Sequence, residues 1–165
     1  MGLLRKLKHL TAPGWLVRRA FRKADLDAVT AAISQSETRH RGEICIVVEG
    51  PLPFAALRHE TSNRQRAGEL FALYGVDRTR EASGILLYVQ LVDHCVEILA
   101  DRGIAAVVAQ TEWDAICREI ETDFAAGRYR NGLVNAVDRM TALLAAHFPA
   151  GDDNPNELGN RPRLI

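Results

Sequence analysis

Cysteine is scarce and unpaired in this sequence. Cys45, Cys95 and Cys117 are an odd number at wide spacing, which excludes the paired patterns of zinc sites and dithiol redox motifs and fits a reduced cytosol. No apolar run reaches the roughly eighteen residues of a membrane span, and Arg and Lys interrupt residues 1–23 too often for a secretory apolar core. The opening "MGLLRK" has Lys6 where a myristoylation signal wants Ser or Thr. An excess of charge is missing as well, since 21 basic and 21 acidic residues cancel. Familiar catalytic signatures are absent: there is no Gly-Lys phosphate loop, no Gly-x-Ser-x-Gly elbow, no Gly-x-Gly-x-x-Gly and no His-Glu-x-x-His.

What is present is an ordinary globular composition, 47% hydrophobic and 25% charged over 165 residues, enough for one core. The neutral total hides an asymmetry. Residues 1–23 carry Arg5, Lys6, Lys8, Arg18, Arg19, Arg22 and Lys23 with no carboxylate, so the remainder is net acidic. A basic arm on an acidic body makes nucleic acid an unsuitable partner, because a nucleic-acid domain needs the basic face on its folded body. Leu3, Leu4, Leu7 and Leu10 recur at helical spacing within the arm. That pattern serves equally a short basic amphipathic element for a membrane surface or a segment docked on its own acidic domain.

After the arm, "KADLDAVTAAISQSETRH" places Leu26, Val29 and Ile33 on one helical face, and "EICIVVEG" reads as a β-branched strand. "HETSNRQRAGELFALYG" predicts a crossover helix with Ala67, Leu70, Phe71 and Tyr74 inward and Arg64 and Arg66 turned away. Ile85 to Leu91 is apolar throughout, as a central strand covered on both faces requires, and Cys95 to Ala100 returns through Asp93-His94. His94 and Cys95 read as a turn histidine and a packed cysteine, because neighbouring strand residues point to opposite faces and cannot form a dyad. Two helical stripes follow, Trp113, Ile116, Ile120 and Phe124, then Leu133, Val137, Met140 and Leu144, divided by Gly127. The expected fold is an α/β/α sandwich whose central mixed sheet has a parallel crossover and an antiparallel hairpin, with helices on both faces. Three segments are expected: a basic arm over 1–23, the domain over 24–150, and a mobile tail over 151–165 rich in Pro, Gly and Asn.

With Asp93-His94 as the central turn pair, Asp101 would face Leu86 and Gly103 would face Gly84. That end of the hairpin then gathers a candidate ligand cleft of Glu43, Ser83, Gly84, Arg102 and Gly103, with Asp77, Glu81 and Asp101 as candidate oxygen donors to a metal.

The helix running into "HRGEICIVVEG", the hairpin "SGILLYVQLVDHCVEILADRGI" and the finish "FAAGRYRNGLVNAVDRMTALL" resemble the TPM domain family over residues 24–148. The resemblance implies an α/β sandwich, calcium binding or acid phosphatase activity in some members, and association with the cell envelope beside LemA-like proteins. Many members introduce the second strand with Asn-Gly, whereas Ser83 precedes Gly84 here and Ala82 removes another polar ligand. The expected function is therefore a noncatalytic TPM-type binding module that requires no cofactor. It is expected in the cytoplasm, peripheral to the inner membrane, with an anionic membrane surface or a LemA-like envelope-associated protein as partner. The alternative is a divalent-metal-dependent phosphatase acting on phosphate monoesters, with calcium or magnesium held by Asp77, Glu81 and Asp101 and the phosphate by Arg102.

Overall fold

A computed structural model describes residues 2–151 and 155–165. The apolar run of the first strand, Glu43–Glu49 (β1), pairs in parallel with Gly84–Gln90 (β2), which pairs antiparallel with Cys95–Ala100 (β3). Every residue of β1 and β2 is buried, which explains why neither alternates polar with apolar. Their side chains divide by parity. Ile44, Ile46, Val48, Ile85, Leu87 and Val89 enter one core, while Cys45, Val47, Leu86 and Tyr88 enter the other.

The first core is closed by Lys23–Ser36 (α3), Gln110–Ala125 (α7) and Tyr129–His147 (α8), through the stripes visible in the sequence. The second is closed by the crossover helix Asn63–Leu73 (α5), capped by Ser62, whose side chain accepts from the Gln65 amide while Gln65 reaches back to the Ser62 amide. The mixed sheet with helices on both faces is thus as the sequence predicts. Short helices Phe54–Arg58 (α4) and Arg102–Ala105 (α6) fill the connections.

Three particulars differ from expectation. The pairing Ile85↔Ala100 and Leu86↔Leu99 shifts the hairpin register by two residues, so Gly84 lies opposite Asp101, whose amide donates to the Gly84 carbonyl at 2.8 Å. The cause is a four-residue loop, Leu91 to His94, ending with His94 at φ 53°, in place of a two-residue turn at Asp93-His94. A shift of two leaves every side chain on its expected face. Second, Arg64 and Arg66 do not turn away: Arg64 donates to the Ile98 carbonyl at 2.7 Å and Arg66 folds onto Glu49.

Third, the tail supplies a strand. Arg163–Leu164 (β4) adds in parallel to the free edge of β1, giving the order β3-β2-β1-β4. Both carboxylate oxygens of Glu43 accept tail amides, from Glu157 and Leu158, at 3.1 Å each. Asn160 donates to Glu37, and Arg163 stacks over Tyr74 with 4.5 Å between the guanidinium carbon and the ring centroid. Poor apolar content argues for a mobile segment only when no partner awaits it, and an unpaired parallel edge with a buried acid beside it is such a partner. Residues 152–154, also within the expected tail, lie outside the described residues.

Candidate functional site

Parallel pairing of Glu43 with Gly84 puts the predicted cleft at the amino ends of β1 and β2. Open α/β sheets ordinarily bind ligands beyond the carboxyl ends. At this amino end the predicted residues are engaged in structure. A β-carbon on Gly84 would lie 2.2 Å from the Val76 carbonyl oxygen, and one on Gly103 would lie 2.5 Å from the Glu81 carbonyl oxygen. Gly103 lies in the first turn of α6 and donates to the Ala82 carbonyl at 2.8 Å, so the two glycines do not face each other; each admits a loop backbone. Ser83 is fully buried, and its amide donates to Thr79 Oγ1 at 3.1 Å. Arg102 is exposed.

The three candidate metal donors have separate engagements. Glu81 pairs with Arg41 at 2.7 Å, and Asp101 caps α6 by accepting the Arg102 amide at 2.7 Å. Asp77 lies on the 3-10 turn Val76–Arg78 with 42% of its side chain exposed. Among the described residues, no three His, Cys, Asp or Glu side chains form a group that could hold a metal ion.

Glu43 belongs to a neighbouring cavity of about 330 Å³ that Glu37 also lines. Burial, aided by Glu43, pushes the Glu37 carboxyl from 4.5 to about 7. Burial likewise raises the Glu43 carboxyl, opposed by the Glu157 and Leu158 amides. At the carboxyl end of α3, Ser36 Oγ lies 2.6 Å from His40 Nε2 and 2.5 Å from Thr141 Oγ1. This Ser-His pair cannot act on an outside substrate, because Ser36, His40 and Thr141 are all buried. It sets a pH dependence instead. Burial lowers His40 from 6.5 to about 4, so its neutral form belongs to the folded state. The associated stability is complete above pH 6.5 and is lost as pH falls toward 4, amounting to about 3 kcal/mol. Glu37 acts oppositely, since a raised folded value takes stability away as pH climbs from 4.5 to 7. Glu37→Gln should therefore raise the urea midpoint at pH 8 and steepen its decline between pH 6.5 and 4. An unchanged profile would contradict both assignments.

The carboxyl ends of β1 and β2 hold what sequence reasoning missed. Glu49, buried at the end of β1, accepts Arg66 Nη2 at 2.8 Å and the Tyr88 hydroxyl at 2.6 Å. Gln90 Nε2 donates in turn to the Tyr88 oxygen at 3.3 Å. Burial, then the Glu49 charge, pushes the Tyr88 phenol above its usual range, while hydrogen bonding to Glu49 pushes Arg66 up. The one available signal was an apolar run bounded at both ends by an acid, Glu43 and Glu49. On the opposite sheet face, next to the hairpin loop, is a cavity of about 430 Å³.

The basic arm lies over this end as two helices, Leu3–Thr11 (α1) and Leu16–Ala20 (α2). Its anchor is Asp93 of the hairpin loop. Arg5 Nε donates to Asp93 Oδ2 at 2.7 Å, and His9 Nε2 lies 3.1 Å from Asp93 Oδ1. Burial works against the Asp93 charge, but Arg5 and His9 outweigh it and lower the carboxyl below its usual value. The Leu52 amide donates to His9 Nδ1 at 3.0 Å, which leaves Nε2 as the protonated nitrogen facing Asp93. Farther along, Val17 and Phe21 enter the first core. Helix α1 thus packs inversely. Arg5 and His9 face the body, while Leu3, Leu4, Leu7 and Leu10 are 82%, 78%, 55% and 63% exposed. Surface helices normally turn the apolar stripe inward.

This open mixed sheet, sandwiched between helices and edged by the β2–β3 hairpin, defines the class. A family profile for the TPM domain matches residues 18–143, and the chain belongs to that family. It is similar to the NMR structure of BA42 protein from the psychrophilic bacterium Bizionia argentinensis, with 28% identity and a TM-score of 0.75 over 86% of this chain and 93% of that one. No curated protein matches the chain. No described helix is long and apolar enough to cross a membrane.

Proposed function

We propose that this TPM domain is a noncatalytic binding module that docks on an anionic membrane surface through α1. The observation that carries the reading is the inverted helix: polar anchors fix Arg5 and His9 to the body and hold four leucines in water. Trp15, between the two arm helices, is 54% exposed with the Arg19 guanidinium over its ring, and Lys8, Arg18, Arg19, Arg22 and Lys23 are exposed nearby in sequence. Leucines, a tryptophan and cations that form no ion pair among the described residues are the chemistry of an amphipathic element lying in a lipid interface. Preorganisation by Asp93 removes the usual weakness of a two-turn helix, which is marginal alone. The metal-dependent phosphatase reading has less support, because Glu81 is committed to Arg41 and Asp101 to the α6 cap.

Deleting the arm would also strip Val17 and Phe21 from the core, so point variants make the cleaner test. Leu7→Glu with Leu10→Glu should leave the melting temperature unchanged and reduce co-sedimentation with phosphatidylglycerol-containing vesicles by at least about tenfold, since each leucine contributes about 1.5–3 kcal/mol on burial. Binding of the parent should weaken steeply with salt. Negligible binding of the parent to those vesicles would overturn the membrane reading and turn attention to a protein partner.

A further inference from the structure

The cavity beneath the arm is lined by none of the four arm leucines and shares only Lys8 with the proposed membrane surface. Leu16 and Ala20 of α2 form its roof, Val89 and Val96 of the hairpin its floor, and Phe124 and Tyr129 its far wall. Its volume of about 430 Å³ falls in the range of small-molecule sites, which are apolar cavities with few polar groups. It also lies at the carboxyl end of β2, where open α/β sheets bind ligands.

The polar groups at its edge are unequal. Gln90, buried, has its amide hydrogen-bonded to the Tyr88 hydroxyl and the Val92 amide. Glu121 accepts the Val96 amide at 3.1 Å. Lys8, by contrast, is exposed at the cavity edge on α1. A small-residue lining at Ala12, Ala20 and Ala125 leaves space that leucine would fill. We infer that this cavity binds one straight-chain amphiphile with an anionic head, its alkyl tail between α2 and the hairpin and its head on Lys8. The head recognised is a carboxylate or phosphate on a single chain, supplied either as a free fatty acid or by a single-chain lipid.

The test uses the full chain and soluble carboxylates in the order hexanoate, octanoate, decanoate, followed by amide NMR, with lysophosphatidic acid as the lipid arm. Affinity should rise about fifteenfold per two methylenes, the fold-change that corresponds to about 0.8 kcal/mol for each methylene buried. Shifts should centre on Ala20, Val89, Val96 and Tyr129. Lys8→Glu should weaken decanoate at least about tenfold, through loss of one ion pair and gain of a like charge, and leave uncharged decanol unchanged. Ala125→Phe, exposed at the cavity edge, should block both while melting like the parent. Tighter binding of lysophosphatidic acid carrying a decanoyl chain than of decanoate would assign the lipid source, and the reverse the free acid. No chain-length dependence, shifts confined to the α1 leucines, or undiminished decanoate binding by a folded Ala125→Phe variant would each overturn the inference.

Discussion

Gly84→Ala is expected to destabilise the protein by about 3 kcal/mol or more, a fall of about 6–12 °C in melting temperature. The new β-carbon would lie 2.2 Å from the Val76 carbonyl oxygen and 2.8 Å from Val76 Cγ1. The first obstacle is backbone, so no side-chain rotation relieves it. The Gly84 amide also donates to Thr79 Oγ1 at 3.1 Å, and its carbonyl accepts the Asp101 amide, which fixes the strand on its other sides. Gly103→Ala meets two backbone oxygens and should behave alike. If the glycines served a ligand instead, alanine would leave the melting temperature intact and change only binding. Thermal unfolding of the two variants distinguishes these outcomes, and a loss under about 1 kcal/mol would contradict the packing account.

Glu49→Ala should cost about 3–5 kcal/mol, because removing one member of a buried charged network leaves the others uncompensated. Among the described residues Arg66, with 17% of its side chain exposed, would retain only Glu69 as an ion-pair partner, and the Tyr88 hydroxyl would lose its acceptor. The network ties β1, β2 and α5 together at one point, so the loss should spread beyond the strand end. Tyr88→Phe, which deletes a single hydroxyl, should cost about 1–2 kcal/mol. Urea denaturation of both single variants and the double variant would give a coupling term between Glu49 and Tyr88. Strict additivity would show that the 2.6 Å contact is energetically idle.

Burial explains which parts of the molecule were legible in the sequence. The β1 and β2 runs, and the stripes led by Trp113 and Leu133, declare themselves because a fully buried element must be apolar on every face it buries. The hairpin register was less legible because Val92-Asp93-His94 contains no glycine to mark a left-handed position, yet His94 takes one. Glu49 and Arg66 were hidden because a charge is normally read as solvated, and only the three-dimensional meeting of strand end and helix neutralises them. Strand β4 was not legible for a related reason: it depends on an edge of β1 more than 110 positions away, which no local pattern reports. Leu3, Leu4, Leu7 and Leu10 were legible as a stripe, but not the direction in which it points, since His9 and Arg5 reverse the usual orientation through Asp93.

The fluorescence of Trp15 tests the proposed membrane surface most directly. The sequence has two tryptophans, and Trp113 is 2% exposed in the core, so a change in polarity or quenching on adding lipid reports Trp15. With Trp15→Phe as the blank, anionic vesicles should shift the emission to the blue and protect it from an aqueous quencher such as acrylamide. Neutral vesicles should do so weakly, and Leu7→Glu with Leu10→Glu should abolish the effect. Emission from Trp15 that remains red and fully quenchable in excess anionic vesicles at low salt would contradict the account.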